Sequence, residues 1–437
     1  MTPERLPSRC LPSSYWLANA NVAPALLDAP IAAPLALLVD DGRIAAVEPV
    51  ESIAQGEAPV FDLGGASVFS AFVDPHTHLD KGDLLAVGAH PERDLFAAID
   101  AVRADYAHWT RHELGARIGF GLRTAYAHGT RAVNSYCDWS QPDGPLAWQV
   151  LREQRAHWRG RIELVLTSLA VIDVLADAAQ AEALGRSVAE AGGVLGFFVY
   201  PAPHVAALLP LAFDLAERFD LWLDFHIDEH LSPVVANLPR VATLARERGW
   251  GARTVCGHAC VLSVLPAAEL DAALDAVAAS GLALVGLPFT NLHLQDSAVR
   301  APLRTPRLRG IAPLHEARAR GIPVALGSDN HRDGFFPGGD LDPLQTLALA
   351  ALAAQLDDPA RRWVDTITRS AASVLGLAWD GVLRVGAPAD LVIHPGRSSA
   401  EVLSRAAQGR QVIRAGQRLD AVDAALPDFR ELDGLRT

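Results

Sequence analysis

The feature that most constrains this chain is an alternation. From about Pro59 to about Gly376, short apolar β-rich runs take turns with longer Ala/Leu/Arg-rich stretches of helical pattern. Eight runs have strand character: Ser67–Val73, Arg131–Tyr136, Arg161–Ser168, Val194–Tyr200, Leu221–His226, Thr254–His258, Leu282–Leu287 and Val324–Ser328. Helical segments such as Glu92–His128, Val205–Arg218, Pro239–Arg248, Ala267–Ala279 and Pro313–Arg320 lie between most of them. Strands that are apolar on both faces and separated by helices belong to a parallel sheet covered on both sides. Eight in series predict an α/β fold in which the sheet closes on itself, a (β/α)8 TIM barrel, rather than an open doubly wound sheet.

The two ends read differently. Leu35–Val39, the turn Asp40-Asp41-Gly42-Arg43 and Ile44–Val47 predict a β-hairpin; Ala389–Ile393 and Gln411–Ala415 predict two further strands. The expected organisation is a barrel over 67–384 and a small β-sandwich formed from both termini, 1–66 and 385–437. Half of the residues are hydrophobic and a fifth are charged, a balance that supports a sizeable core. With a net charge of −13 and no Lys/Arg run, a nucleic-acid partner is excluded and a small molecule is expected. The opening segment has no signal-peptide core, and no stretch has the apolar length of a membrane span. The four cysteines, Cys10, Cys137, Cys256 and Cys260, outline no disulfide framework. A cytoplasmic protein without membrane contact is expected, and a homo-oligomer is left open.

Residues Phe72–Lys81 read FVDPHTHLDK. Residues two apart on a strand share a face, so His76 and His78 project together, with Asp74 beside them. An isolated His-x-His is weak evidence. Here the fifth strand ends with His226 and Glu229, the sixth with His258 and the eighth with Asp329. Barrel active sites are assembled at this edge from several strand ends, so these residues form one coherent metal and acid–base set. Cys256 and Cys260 flank His258, but their spacing is not that of a thiolate zinc site.

The order His-x-His, His, His, Asp on strands one, five, six and eight resembles the amidohydrolase superfamily, over nearly the whole chain. Within it, His226-Ile-Asp-Glu229, Asn291-Leu-His-Leu-Gln295 and Arg309-Gly310 resemble cytosine deaminases. HTHLDK and SDNHRD resemble a sister branch of s-triazine amidohydrolases. The resemblance implies deamination of a nitrogen heterocycle by a metal-activated water. Glu229 would carry protons, His258 would steady the attacking oxygen or the adduct, and Asp329 would ligate the metal and orient the water. Binuclear relatives use a carboxylated lysine on the fourth strand, but VLGFFVY has none. The resemblance therefore implies one divalent ion, zinc or iron(II), held by His76, His78, His226 and Asp329.

Two departures concern the substrate. Cytosine deaminases read the base with a glutamine after the third strand, where this chain has Thr167-Ser168-Leu169-Ala170; they also carry a second aspartate where it has Asn330. Ser168, Asn330, Phe335 and Phe336 are candidate substrate contacts, with room for a bicyclic pterin or purine. Lys81, the only lysine of the chain, is a further candidate, either for a ring carbonyl or anionic substituent or in a bracing pair with Asp333. The rivals are an amide, cyclic-imide or N-alkyl-aminotriazine hydrolase on the same scaffold, and a catalytically silent metal-binding protein. Elemental analysis of the purified protein is expected to find one divalent ion per chain. Two tightly held ions, or none after reconstitution, would rule out the single-ion site.

Overall fold

The structure, a computed structural model, describes residues 10–29, 31, 34–53, 56, 58–139, 144–233, 236–297 and 304–436. The first nine residues of the expected N-terminal segment lie outside these. Two compact units result: Met1–Val73 with Arg123–Arg131 and Asp342–Pro427, and Asp74–Leu122 with Ala132–Leu341 and Asp428–Thr437. The boundaries expected at 66/67 and 384/385 both fall inside the first unit.

In chain order the strands are β1 (Ser14–Val22), β2 (Leu35–Asp40), β3 (Arg43–Pro49), β4 (Val60–Asp62) and β5 (Ser67–Ser70). Then come β6 (Phe72–Thr77), β7 (Thr130–Asp138), β8 (Glu163–Val171), β9 (Leu195–Val199) and β10 (Leu223–Ile227). The last are β11 (Thr254–His258), β12 (Ala283–Gly286), β13 (Val324–Leu326), β14 (Leu391–His394), β15 (Gln411–Arg414) and β16 (Gln417–Arg418).

The first unit holds the sheet made from both ends of the chain, with β16, β15, β14, β5, β1, β2 and β3 adjacent in that order and β4 beside β1. The expected hairpin is present: β2 and β3 pair from Leu35↔Pro49 to Asp40↔Arg43. Its turn puts both Asp41 (φ 44°) and Gly42 (φ 75°) in the left-handed region, as a two-residue turn matching the strand twist requires. A Cβ on Gly42 would lie 2.8 Å from the Ala415 carbonyl oxygen, so glycine serves two needs there. β1 pairs antiparallel with β2, breaks register between Leu17 and Ala20, and then runs parallel to β5 at Asn21 and Val22. An irregularity of this kind bends a strand, so that β1 passes from one partner to the other within the sheet.

One expectation needs correction. The run Ser67–Val73 is not the first barrel strand. Ser67–Ser70 pairs antiparallel with Leu391–His394, and the barrel strand begins at Phe72. All of Ser67–Ser70 and Phe72–Thr77 is buried, so no alternation marks the break.

The barrel strands lie in sequential order, β6 to β13. Each parallel register confirms the order, as with His226↔Gly257 and Ile227↔His258 between β10 and β11. The ring closes where Asp329 N donates to the His76 carbonyl at 2.8 Å, and Asp74 accepts from the backbone N–H (3.1 Å) and hydroxyl of Ser328. Tyr136, Phe197 and Phe225 are fully buried along the strands. Two helices, α1 (Leu95–Asp105) and α2 (Arg111–Ala127), follow β6. Among the described residues, no helix is long and apolar enough to cross a membrane.

Strand spacing leaves little tolerance at β9, where a Cβ on Gly196 would sit 2.0 Å from the Ser168 carbonyl oxygen. Gly196→Ala is expected to cost about 1–3 kcal/mol, as overpacked cores do. Gly115→Ala in α2, where the nearest atom is Gln154 Nε2 at 3.9 Å, is expected to gain about 0.4–1 kcal/mol. Urea unfolding midpoints measure both, and equal effects would refute the packing argument.

Candidate active site

The C-terminal ends of the strands deliver the site. His76 lies on β6 and His78 just beyond it, His226 on β10, His258 at the last position of β11, and Asp329 shortly after β13. The chain turns sharply there: Asp228 (φ 55°), His258 (φ 70°), Ala259 (φ 50°) and Asp329 (φ 64°) are all left-handed. Such conformations cost on the order of 1 kcal/mol each and gather where the fold aims side chains inward. Asp74 does not join the histidines; its carboxylate is engaged by Ser328.

His76, His78 and His226 each offer a ligand atom within 4.8 Å of the others, as do His76, His258 and Asp329. His78 Nε2 and His226 Nε2 face each other at 3.3 Å. Asp329 Oδ1 lies 3.2 Å from His78 Nε2 and 3.5 Å from His76 Nε2. Burial pushes all four imidazoles below their ordinary range, His78 to about 3. They are therefore neutral at pH 7, the form that donates a lone pair to a metal. Both nitrogens of His76, Nδ1 of His78 and His226, Nε2 of His258 and both Asp329 oxygens are buried without a hydrogen-bond partner. Leaving so many converging polar atoms unmatched is costly, and imidazole with carboxylate is a donor set suited to zinc or iron. The residues fit a divalent ion.

Behind the histidines stands Tyr136, its ring 4.1 Å from that of His76 and 4.5 Å from that of His226, centroid to centroid. Its hydroxyl donates to Asp224 Oδ2 at 2.6 Å. Neither residue is evident as a site residue from sequence, although a carboxylate two positions before His226 in an apolar strand was a usable signal.

Glu229 is buried, with Oε1 3.5 Å from His258 Nδ1. Burial, reinforced by the charge of Asp329 and opposed by Lys81, pushes its carboxyl well above the usual range. The motifs around it have structural causes. Asn291 Oδ1 faces His258 Nδ1 at 3.0 Å, and Gln295 Nε2 donates to the Glu229 carbonyl at 3.3 Å. Asn291 lies in the short helix Pro288–Leu294 and Gln295 caps its end, where Gln295 N donates to the Asn291 carbonyl at 3.0 Å. Gly310 gives Gln295 its space, since a Cβ there would lie 2.5 Å from Gln295 Cγ. Asp228 instead accepts from the backbone N–H groups of Asn237 and Leu238 and holds the next helix.

These groups open into a cavity of about 380 Å³ lined by His78, His226, Glu229, His258 and Asp329. Of the five expected substrate contacts, Lys81, Asn330 and Phe335 line it. Ser168 and Phe336 are not among the lining residues. The Ser168 hydroxyl accepts from Gly196 N at 3.0 Å between strands, and the Phe336 ring packs on Phe289 at 5.3 Å. In place of the alternative pairing with Asp333, Lys81 forms an ion pair with Asp138 at 2.8 Å. Asp333 instead accepts from Asn330 Nδ2 and the backbone N–H groups of Phe335 and Phe336, which shapes the loop. Asp138 and Tyr106 also line the cavity. Asp138, a carboxylate at the end of the second strand, was a signal that sequence reading missed.

The sequence profile of the Amidohydrolase family matches residues 204–420. Pterin deaminase of Rhizobium rhizogenes (strain K84 / ATCC BAA-868) is 37% identical over 398 residues, covering 91% of this chain and 90% of the relative. N-isopropylammelide isopropyl amidohydrolase of Pseudomonas sp. (strain ADP) is 27% identical over 367 residues, covering 82% of this chain and 86% of that protein. The crystal structure of 5-methylcytosine deaminase from Klebsiella pneumoniae liganded with phosphonocytosine shares the fold, with a TM-score of 0.80 at 24% identity over 92% of this chain and 97% of that one.

A metal in this cluster would bind the folded state alone. Saturating divalent metal is expected to raise the thermal midpoint, by an amount equivalent to about 2.7 kcal/mol at a hundredfold excess over Kd. Chelation should reverse the shift and His226→Ala should abolish it. A midpoint insensitive to metal and chelator would refute a metal site here.

Proposed function

The chain belongs to the amidohydrolase family, and we propose that within it the protein is a metal-dependent aminohydrolase that removes an exocyclic amino group from a nitrogen heterocycle as ammonia. The observation that carries this reading is Glu229, a buried acid with a raised pKa that faces His258 beside a cluster of neutral imidazoles at one cavity. Perturbed acids in such a setting mark acid–base sites.

His76, His78, His226 and Asp329 would hold one divalent ion, zinc or iron(II). The chemistry such an ion supplies when bound is Lewis acidity, which makes water a competent nucleophile near neutral pH. Glu229 then works as the proton carrier. Its carboxylate takes one proton from the attacking water and its acid form delivers it to a ring nitrogen; the carboxylate then takes the proton of the hydroxyl now on the ring carbon and delivers it to the departing amine, which leaves as ammonia. His258 would present Nε2 to the attacking oxygen while its Nδ1 is turned to Asn291 Oδ1 at 3.0 Å. Asp329 would orient the water from the end of the last barrel strand, beside His76 and His78.

A bicyclic substrate of pterin type is favoured. The relative of highest identity given above is a pterin deaminase, and the cavity of about 380 Å³ has room for two fused rings. The second reading, release of an N-alkylamine from an aminotriazine, is favoured by the likeness to the isopropylammelide hydrolase. A panel of pterin, isoguanine, cytosine and N-alkyl-aminotriazines, assayed for ammonia and for alkylamine, separates the two. Cytosine is expected to trail because its reading glutamine is missing; a wide lead for cytosine would overturn the bicyclic reading. No turnover of any ring would favour the silent metal-binding protein. Glu229→Gln is expected to lower kcat by about 10²–10⁴-fold with metal content unchanged. Near-normal turnover with metal retained would remove Glu229 from the mechanism.

A further inference from the structure

Besides the histidine cluster, the cavity carries a second polar set whose parts are held with care. Lys81 Nζ donates to Asp138 Oδ1 at 2.8 Å, and the Tyr106 hydroxyl donates to Asp138 Oδ2 at 2.7 Å. Asp138 N in turn donates to Asp80 Oδ2 at 3.0 Å. The backbone on either side of Lys81 is clamped, because Arg117 Nη1 donates to the carbonyls of Asp80 (2.9 Å) and Gly82 (2.7 Å). Arg117 itself is fully buried and paired with Glu113. Lys81 also lies 4.7 Å from the Phe335 ring centroid, which limits where its ammonium can go. A chain that uses arginine at every other basic position keeps its single lysine here.

Hydrogen-bond capacity remains in this set. A carboxylate offers about four lone-pair sites and an ammonium three N–H donors. Each Asp138 oxygen therefore keeps a lone pair, and Lys81 keeps donors beyond the one given to Asp138. Burial alone would lower the lysine, but Asp138 and Asp80 hold it above its ordinary range; burial alone would raise Asp138, but Lys81 chiefly holds it below. The pair stays ionised and presents an acceptor beside a donor. Asp138 cancels the lysine charge and repels anions, so the complement is a neutral group with the reverse order.

We propose that Lys81 and Asp138, oriented by Tyr106, read a ring lactam, so that the protein selects amino-heterocycles carrying an N–H beside a C=O. The lactam N–H donates to Asp138 and its carbonyl accepts from Lys81. This inference rests on the heterocycle reading above and adds the edge that the cavity recognises. A ring without the lactam leaves a buried ion pair facing groups that cannot match it, the situation in which enzymes discriminate most strongly.

The test uses the metal-loaded full chain and two matched pairs: pterin against 2-aminopteridine, and isoguanine against adenine. Calorimetric binding is measured in Glu229→Gln protein and turnover in wild type. The lactam member is expected to bind at least about 100-fold more tightly. In Lys81→Met and Asp138→Asn that ratio should fall below about tenfold with metal content retained. Tyr106→Phe, which spares the ion pair, should lower it less, and serves as the folded variant if the others do not fold. Equal binding of both members by the Glu229→Gln protein, or an unchanged ratio in the folded variants, overturns the proposal. If no ring is turned over but the lactam preference holds in calorimetry, the deaminase reading fails and the lactam reading stands. If rings are turned over without the preference, the deaminase reading stands and the lactam reading fails.

Discussion

The hydrogen bond from Asp329 N to the His76 carbonyl joins the last barrel strand to the first, and the site depends on it. On one side of this seam lie His76 and His78; on the other lies Asp329, within 3.2–3.5 Å of their Nε2 atoms. Asp74 and Ser328 reinforce the seam. Were the sheet open, the first and eighth strands would be its two distant edges, and no carboxylate would meet these imidazoles.

Within the closed ring, desolvation does most of the electrostatic tuning. It disfavours whichever form is charged, so one cause moves bases down and acids up. The four imidazoles become neutral, and the Glu229 carboxyl rises well above its usual range. Lys81 and Asp138 are exceptions, since each supplies the counter-charge that keeps the other ionised, and so is Asp329, which burial would raise but His76 and His78 hold low. One cavity therefore contains groups kept neutral and a pair kept charged, which suits proton traffic at one place and fixed recognition at another.

The supports of the site explain motifs that would otherwise be only a likeness. Asn291 and Gln295 belong together because one lies in a short helix and the other caps it, from where they reach His258 and the Glu229 backbone. Gly310 is small because Gln295 passes against it. Asp333 was a plausible partner for Lys81 in sequence, yet it is consumed by the amides of its own loop.

Much of the fold was legible in the sequence because burial writes itself into composition. Eight apolar runs separated by helical periods leave few arrangements other than a closed parallel ring, and the strand ends then pick out His76, His78, His226, Glu229, His258 and Asp329. The break between Ser70 and Phe72 was not legible, because both strands are buried throughout and alternation vanishes where neither face meets water. The cavity wall was also hidden. Phe336 adjoins Phe335 in sequence and Ser168 lies in the third barrel strand, but the direction of each side chain follows from strand pairing and loop capping rather than from position along the chain. The sequence by itself determined the barrel and the presence of histidines and acids at its strand ends, since these follow from local pattern. Only the tertiary structure decided that Lys81 meets Asp138, because that contact joins the loop after the first strand to the end of the second, and the side-by-side pairing of those two strands sets the distance between them.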